Sequence, residues 1–163
     1  MDIAFEQDLW ILMRIAAAML FGGVLGIERE LGRHAAGLRT HMMIAGAAAL
    51  IVSLGDVVAQ HFTAEQYREL LRIDPVRLIE AVVAAVGFVG AGAILHRSRS
   101  EHVQGLTTAS SLLMAAAIGI AAGLGNYLLA FGASLLCVIV LAAFRRIEQK
   151  FGTDKPRDGG GQA

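Results

Sequence analysis

Leu9 to Ile27 reads LWILMRIAAAMLFGGVLGI, and Glu28-Arg29-Glu30 follows at once. This run carries a single charge, Arg14, and comes near the roughly 20 apolar residues that take a helix across a bilayer. Four more runs of the same character follow, from about Met42 to Ala59, Ile79 to Leu95, Thr107 to Gly123 and Tyr127 to Phe144. The pattern predicts an all-α integral membrane protein of five transmembrane helices, occupying residues 1–151, with a Gly- and charge-rich tail over 152–163 that is expected to be disordered.

The composition of the 163 residues agrees: 56% are hydrophobic and 17% are charged, against about 25% charged in soluble domains. The acidic residues Asp2, Glu6 and Asp8 precede the first run, and no small-residue cleavage site follows it, so it reads as a retained helix. The one cysteine, Cys137, lies in the last run and excludes an intrachain disulfide.

Basic residues set the expected orientation. Ten lie in alternate connectors and the tail: Arg29, Arg33 and Arg39, then Arg97 and Arg99, then Arg145, Arg146, Lys150, Lys155 and Arg157. Only Arg68, Arg72 and Arg77 lie on the other side, which places the N-terminus outside and the C-terminus in the cytoplasm. In the outer connector, Thr63 ahead of Ala64-Glu65-Gln66 predicts the N-cap of a short surface helix, with Asp74-Pro75 ending it and opening the third span.

With that orientation, the non-apolar motifs gather at the cytoplasmic boundary. They are Glu28-Arg29-Glu30, Gly37-Leu38-Arg39-Thr40-His41, the Gly90 and Gly92 region, and Gly105-Leu106-Thr107-Thr108. Two helix N-termini open there with unpaired N–H groups. Thr40 and Thr107 or Thr108 are candidate caps, and Arg39 is a candidate carboxylate or phosphate fork. Glu28 with Arg39 would latch the first hairpin; the same groups also suit a ligand or partner. Gly22 and Gly26, and the stripe Ala115, Gly119, Gly123, fit close helix packing, and Gly87, Gly90 and Gly92 are expected to let the third span approach a neighbour closely. On the outer side, Arg14, Asp56 and Glu80 are candidates for an intramembrane ion pair. The histidines have no metal-ligand spacing, and no phosphate loop, nucleophile elbow or metalloprotease motif is present. No enzyme, cofactor, metal site or nucleic-acid partner is expected.

Four blocks in register, Gly26-Ile27-Glu28-Arg29-Glu30, Ala36-Gly37-Leu38-Arg39-Thr40-His41, Gly87-Phe88-Val89-Gly90-Ala91-Gly92-Ala93-Ile94 and Gly105-Leu106-Thr107-Thr108-Ala109, resemble the bacterial MgtC/SapB family. The resemblance implies a multi-pass protein of the bacterial inner membrane. In the MgtC branch it further implies adaptation to low magnesium, virulence through intracellular survival, and restraint of the F-type ATP synthase. The chain resembles the short SapB-like members, without a C-terminal ACT-like domain. It also has Thr107 where the MgtC branch has Asn, and Leu113-Met114 where that branch often has Trp-Cys. The expected mode of action is binding, with self-association through Gly/Ala stripes. The alternatives are an oligomeric Mg²⁺ transporter or channel, and a sensor of a cation or phosphate-bearing ligand at the cytoplasmic face.

Overall fold

A computed structural model describes residues 2–61, 74–95 and 105–151. It contains five helices: α1 (Asp2–Leu31), α2 (Leu38–His61), α3 (Pro75–Leu95), α4 (Leu106–Gly123) and α5 (Tyr127–Phe151). All five are long and apolar enough to cross a membrane. Their order matches the hydropathy reading, but α1, α2, α3 and α5 extend well beyond the apolar runs. Hydropathy marks what sits in hydrocarbon, whereas backbone hydrogen bonds carry a helix on into the interface. The expected outer surface helix, the tail, and His96, Arg97, Arg99 and His102 lie outside the described residues.

The helix ends follow local chemistry. The Asp74 carboxylate accepts from Val76 N–H at 3.0 Å, and Pro75 occupies the first helical position of α3, where its missing N–H costs nothing. α1 ends in a Schellman arrangement, with His34 N–H donating to the Arg29 carbonyl and Arg33 N–H to that of Glu30. Arg33, not the neighbouring Gly32, takes the left-handed φ of 55°. α4 ends the same way on Gly125, whose φ is 80°.

α4 is the hub, packing against each of the other four helices, while among the described residues α3 touches only α2 and α4 and α5 touches only α1 and α4. One buried cluster joins Ala18 and Leu25 of α1, Ala45 and Ala49 of α2, Ala115, Ile118 and Ala122 of α4, and Ala130 of α5. A second joins Ala48 and Val52 to Val82 and Val86 of α3 and to Leu112, Ala116 and Ile120 of α4. Side chains this small let backbones approach closely, and that approach supplies the dispersion energy which replaces a hydrophobic drive inside lipid.

Ala45 marks the closest meeting of three helices. A Cβ added at Gly22 of α1 would fall 2.6 Å from Ala45 Cβ, and one added at Gly119 of α4 would lie 2.8 Å from Ala45 Cα. A Cβ added at Gly123, one turn further along α4, would lie 2.8 Å from the Ala49 carbonyl oxygen, and one added at Gly26, one turn further along α1, would lie 2.7 Å from Leu38 Cα. The packing role read for Gly22, Gly26, Gly119 and Gly123 is therefore what the structure has. Of the third-span glycines, Gly90 packs on Ala109 of α4 as expected, but Gly87 and Gly92 do not approach a neighbour: a Cβ added at either would meet nothing within 4 Å, because both lie on the outward face of α3 beside the exposed Phe88.

Buried hydroxyls add polar cross-links: Ser134 of α5 donates to the Phe21 carbonyl of α1 at 2.8 Å, and Ser53 of α2 to that of Gly123 at 3.4 Å. Large apolar side chains such as Leu128, Phe88 and Leu20 point outward, as lipid-facing positions require.

Candidate functional site

The C-terminal ends of α1, α3 and α5 meet the N-terminal ends of α2 and α4 at one end of the bundle. The α1–α2 turn is built around Glu30, whose carboxylate accepts from Leu38 N–H at 3.0 Å and so caps α2. Gly37 leaves the room for it, since any side chain there would run into that carboxylate. Thr40 is exposed, the third residue of α2, and is not its cap. Nor does a threonine cap α4: its N-cap is Gly105, at φ 102° and without a side-chain hydrogen bond. Gly105 is required twice, by that φ and by its approach to the Ala93 carbonyl, 3.0 Å from where a Cβ would stand.

Two polar links tie this end together. Arg29 is only 2% exposed, and its Nη2 donates to Thr108 Oγ1 at 3.0 Å, joining α1 to α4. His41, fully buried, lies between α2 and α4. Its Nδ1 is 2.8 Å from the Gly37 carbonyl, its Nε2 is 3.0 Å from Ser111 Oγ, and Ser111 Oγ is 2.8 Å from the Thr108 carbonyl. A carbonyl only accepts, so Nδ1 carries a proton. A neutral ring then leaves the single Ser111 proton to serve either Nε2 or the Thr108 carbonyl, and an imidazolium fills all three links.

Glu28 does not find Arg39. Its ion-pair partner among the described residues is Arg145 of α5, at 3.9 Å, while Arg39 is exposed. The rotation of α1 that packs Gly22 and Gly26 onto α2 turns Glu28 toward α5. That 3.9 Å separation is too long for a hydrogen bond. Glu28 Oε2 and Arg29 Nε are both buried without a partner. Both residues line a cavity of about 470 Å³ with His34, Gly105, Thr107, Thr108, Val140, Leu141, Phe144 and Arg145. A second cavity of about 420 Å³, walled almost wholly by apolar groups, shares Thr107, Val140 and Leu141 with the first and runs on past Ser111, Leu136 and Cys137.

The structure thus brings Glu28, Arg29, Gly105, Thr107 and Thr108 together around one chamber. Gly37, Arg39 and Thr40 belong to the α1–α2 turn and the start of α2, Gly90 to the α3–α4 contact, and Gly92 to the outer face of α3. At the far end, Arg14 Nη1 lies 3.4 Å from Asp56 Oδ2 and donates to the Gly123 carbonyl at 3.0 Å. Glu80 stands apart from that pair, beside Asp74 and Arg77 at the start of α3.

Sequence reasoning assigned no site role to Arg145, His41 or Ser111. One signal for the last two was available: His41 precedes Ala45 and Ala49, and Ser111 precedes Ala115, Gly119 and Gly123, each at four-residue spacing on the buried stripe. Among the described residues, no group of three or more His, Cys, Asp and Glu side chains is placed to hold a metal ion.

Five apolar helices, closed on a small-residue core and gathering Arg29, His41, Thr108 and Ser111 at one end, define a multi-pass membrane helix bundle. Residues 15–150 match the MgtC family profile, and the chain belongs to that family. It is 36% identical to Protein SapB of Bacillus subtilis over 95% of its own length and 65% of the relative's. It is 35% identical to the putative magnesium transporter YhiD of Escherichia coli K12 over 83% of its length and 61% of the relative's. For Protein MgtC of Salmonella typhimurium LT2 the identity is 33%, over 85% of this chain and 55% of the relative. The chain therefore spans between half and two thirds of the length of these relatives. No solved structure gives a significant match.

Proposed function

We propose that the protein is a non-catalytic regulator in the bacterial inner membrane, which binds another membrane complex at its cytoplasmic face during adaptation to low magnesium. The observation that carries this reading is the division of the bundle. Its middle is filled by the cluster of Ala18, Ala45, Ala49, Ala115, Ile118 and Ala122, while the buried Arg29, His41, Thr108 and Ser111 lie together at the end where the basic residues gather, the cytoplasmic end by the positive-inside rule. The resemblance to the MgtC branch names the F-type ATP synthase as the partner to test. Arg39, Thr40 and Arg33 offer it an exposed, charged surface at the α1–α2 turn.

The test is affinity purification of the tagged protein from membranes of magnesium-starved cells, beside an Arg39→Ala variant. ATP-synthase subunits recovered with the native chain and lost with the variant are the expected result. Recovery of the protein alone, well folded, would sink the partner assignment. The magnesium-transporter reading, which the name of the YhiD relative suggests, is tested by Mg²⁺ flux into proteoliposomes. Flux abolished by Asp56→Asn would replace the regulator reading.

A further inference from the structure

Two cavities that share a wall, one of mixed lining that holds the charged side chains and one almost wholly apolar, have the layout of a lipid head and tail. Among the described residues, the first chamber carries Arg29 and Arg145 against one carboxylate, Glu28, and a smaller hollow lined by Glu28 and Arg145 adds Arg146. Arg29 is buried with a neutral hydrogen-bond partner, Thr108, and Glu28 Oε2 is buried without a hydrogen-bond partner among the described residues. Buried charges left this incomplete are uncommon, because each forgoes the hydrogen bonds that offset its desolvation. Excess positive charge disfavours a metal cation and favours an anion. The open acceptor on Glu28 calls for a donor on the same ligand.

The apolar cavity says what that ligand is attached to. Leu136, Val140 and Phe144 recur every four residues along one stripe of α5, all three exposed to the surroundings of the bundle. They form a ridge of roughly 12 Å, running from the apolar groove to the mouth of the chamber. A free anion has no use for such a ridge; an acyl chain does.

We infer that this end of the bundle binds an anionic phospholipid with a hydroxyl-bearing headgroup, of the phosphatidylglycerol kind. Its phosphate lies between Arg29 and Arg145, a headgroup hydroxyl donates to Glu28, and one acyl chain follows the groove between α4 and α5. Basic pockets between membrane helices recognise anionic headgroups in this way. The inference goes beyond partner regulation and needs no partner, so either can fail alone.

The experiment uses the full chain in nanodiscs and native mass spectrometry of the released protein. Retention of phosphatidylglycerol is compared with that of phosphatidylcholine of the same chains. The expected result is preferential retention of the anionic lipid, falling about fivefold with Arg145→Gln, since one arginine near the headgroup contributes about that factor. Val140→Trp, a change at an exposed position that fills the groove, lowers retention while leaving every arginine in place. Equal retention of the two lipids, or full retention in both variants, overturns the proposal. So does thermal stabilisation of delipidated protein by free glycerol phosphate as large as that by the lipid, which would make this a soluble-anion site.

Discussion

Gly119 of α4 faces the backbone of Ala45 of α2 so closely that one added carbon would strike the Ala45 carbonyl. Backbone, unlike a flexible side chain, cannot step aside, so the helices would have to part. Gly119→Ala is expected to destabilise the protein by about 1–3 kcal/mol, as overpacking does. Gly87→Ala and Gly92→Ala, with nothing within 4 Å of the new methyl, are expected to be neutral or to stabilise by about 0.5–1 kcal/mol through helix propensity. Thermal unfolding in detergent separates the two outcomes, and equal losses at all three glycines would contradict this account of the packing.

The Arg29–Thr108 link predicts a difference between adjacent threonines. Thr108→Val keeps the shape but removes the acceptor from a buried guanidinium, at a cost of about 1–3 kcal/mol. Thr107→Val, at an exposed position on the cavity wall, is expected to stay within about 0.5 kcal/mol of the native chain. Denaturation midpoints of the two variants in one detergent give the comparison directly.

Arg33 holds a left-handed φ of 55° that suits glycine. Such a conformation costs an L-residue roughly 1–2 kcal/mol. Arg33→Gly should therefore raise stability by about 1 kcal/mol, seen as a higher melting temperature. A lower one would mean that the arginine makes a stabilising contact greater than that strain.

Arg14 reaches both Asp56 and the Gly123 carbonyl, but unequally in value. Asp56 is about half exposed, so the ion pair is worth about 0–1 kcal/mol. The hydrogen bond to Gly123, at the C-terminal end of α4, is charge-assisted and partly buried, and contributes about 1.5–3 kcal/mol. Arg14→Met is expected to cost more stability than Asp56→Asn. The reverse order would make the ion pair the dominant contact.

Hydropathy is a local, additive property, so five spans were legible in the chain before any contact was known, and Asp74-Pro75 marked the start of α3 through chemistry confined to neighbouring residues. The small-residue stripes of α1 and α4 were legible for the same reason, because period alone puts Gly22 with Gly26 and Gly119 with Gly123. What each stripe or charge would meet depends on how a helix is rotated about its axis and on which helix lies beside it. That rotation gave Glu28 to Arg145 in place of Arg39, and joined Arg29 to Thr108 and His41 to Ser111 across gaps of 79 and 70 residues. It also turned Gly87 and Gly92 outward from a motif whose Gly90 packs inward. The tertiary structure alone decided these pairings, because a helix fixes the spacing of its side chains but not their partners.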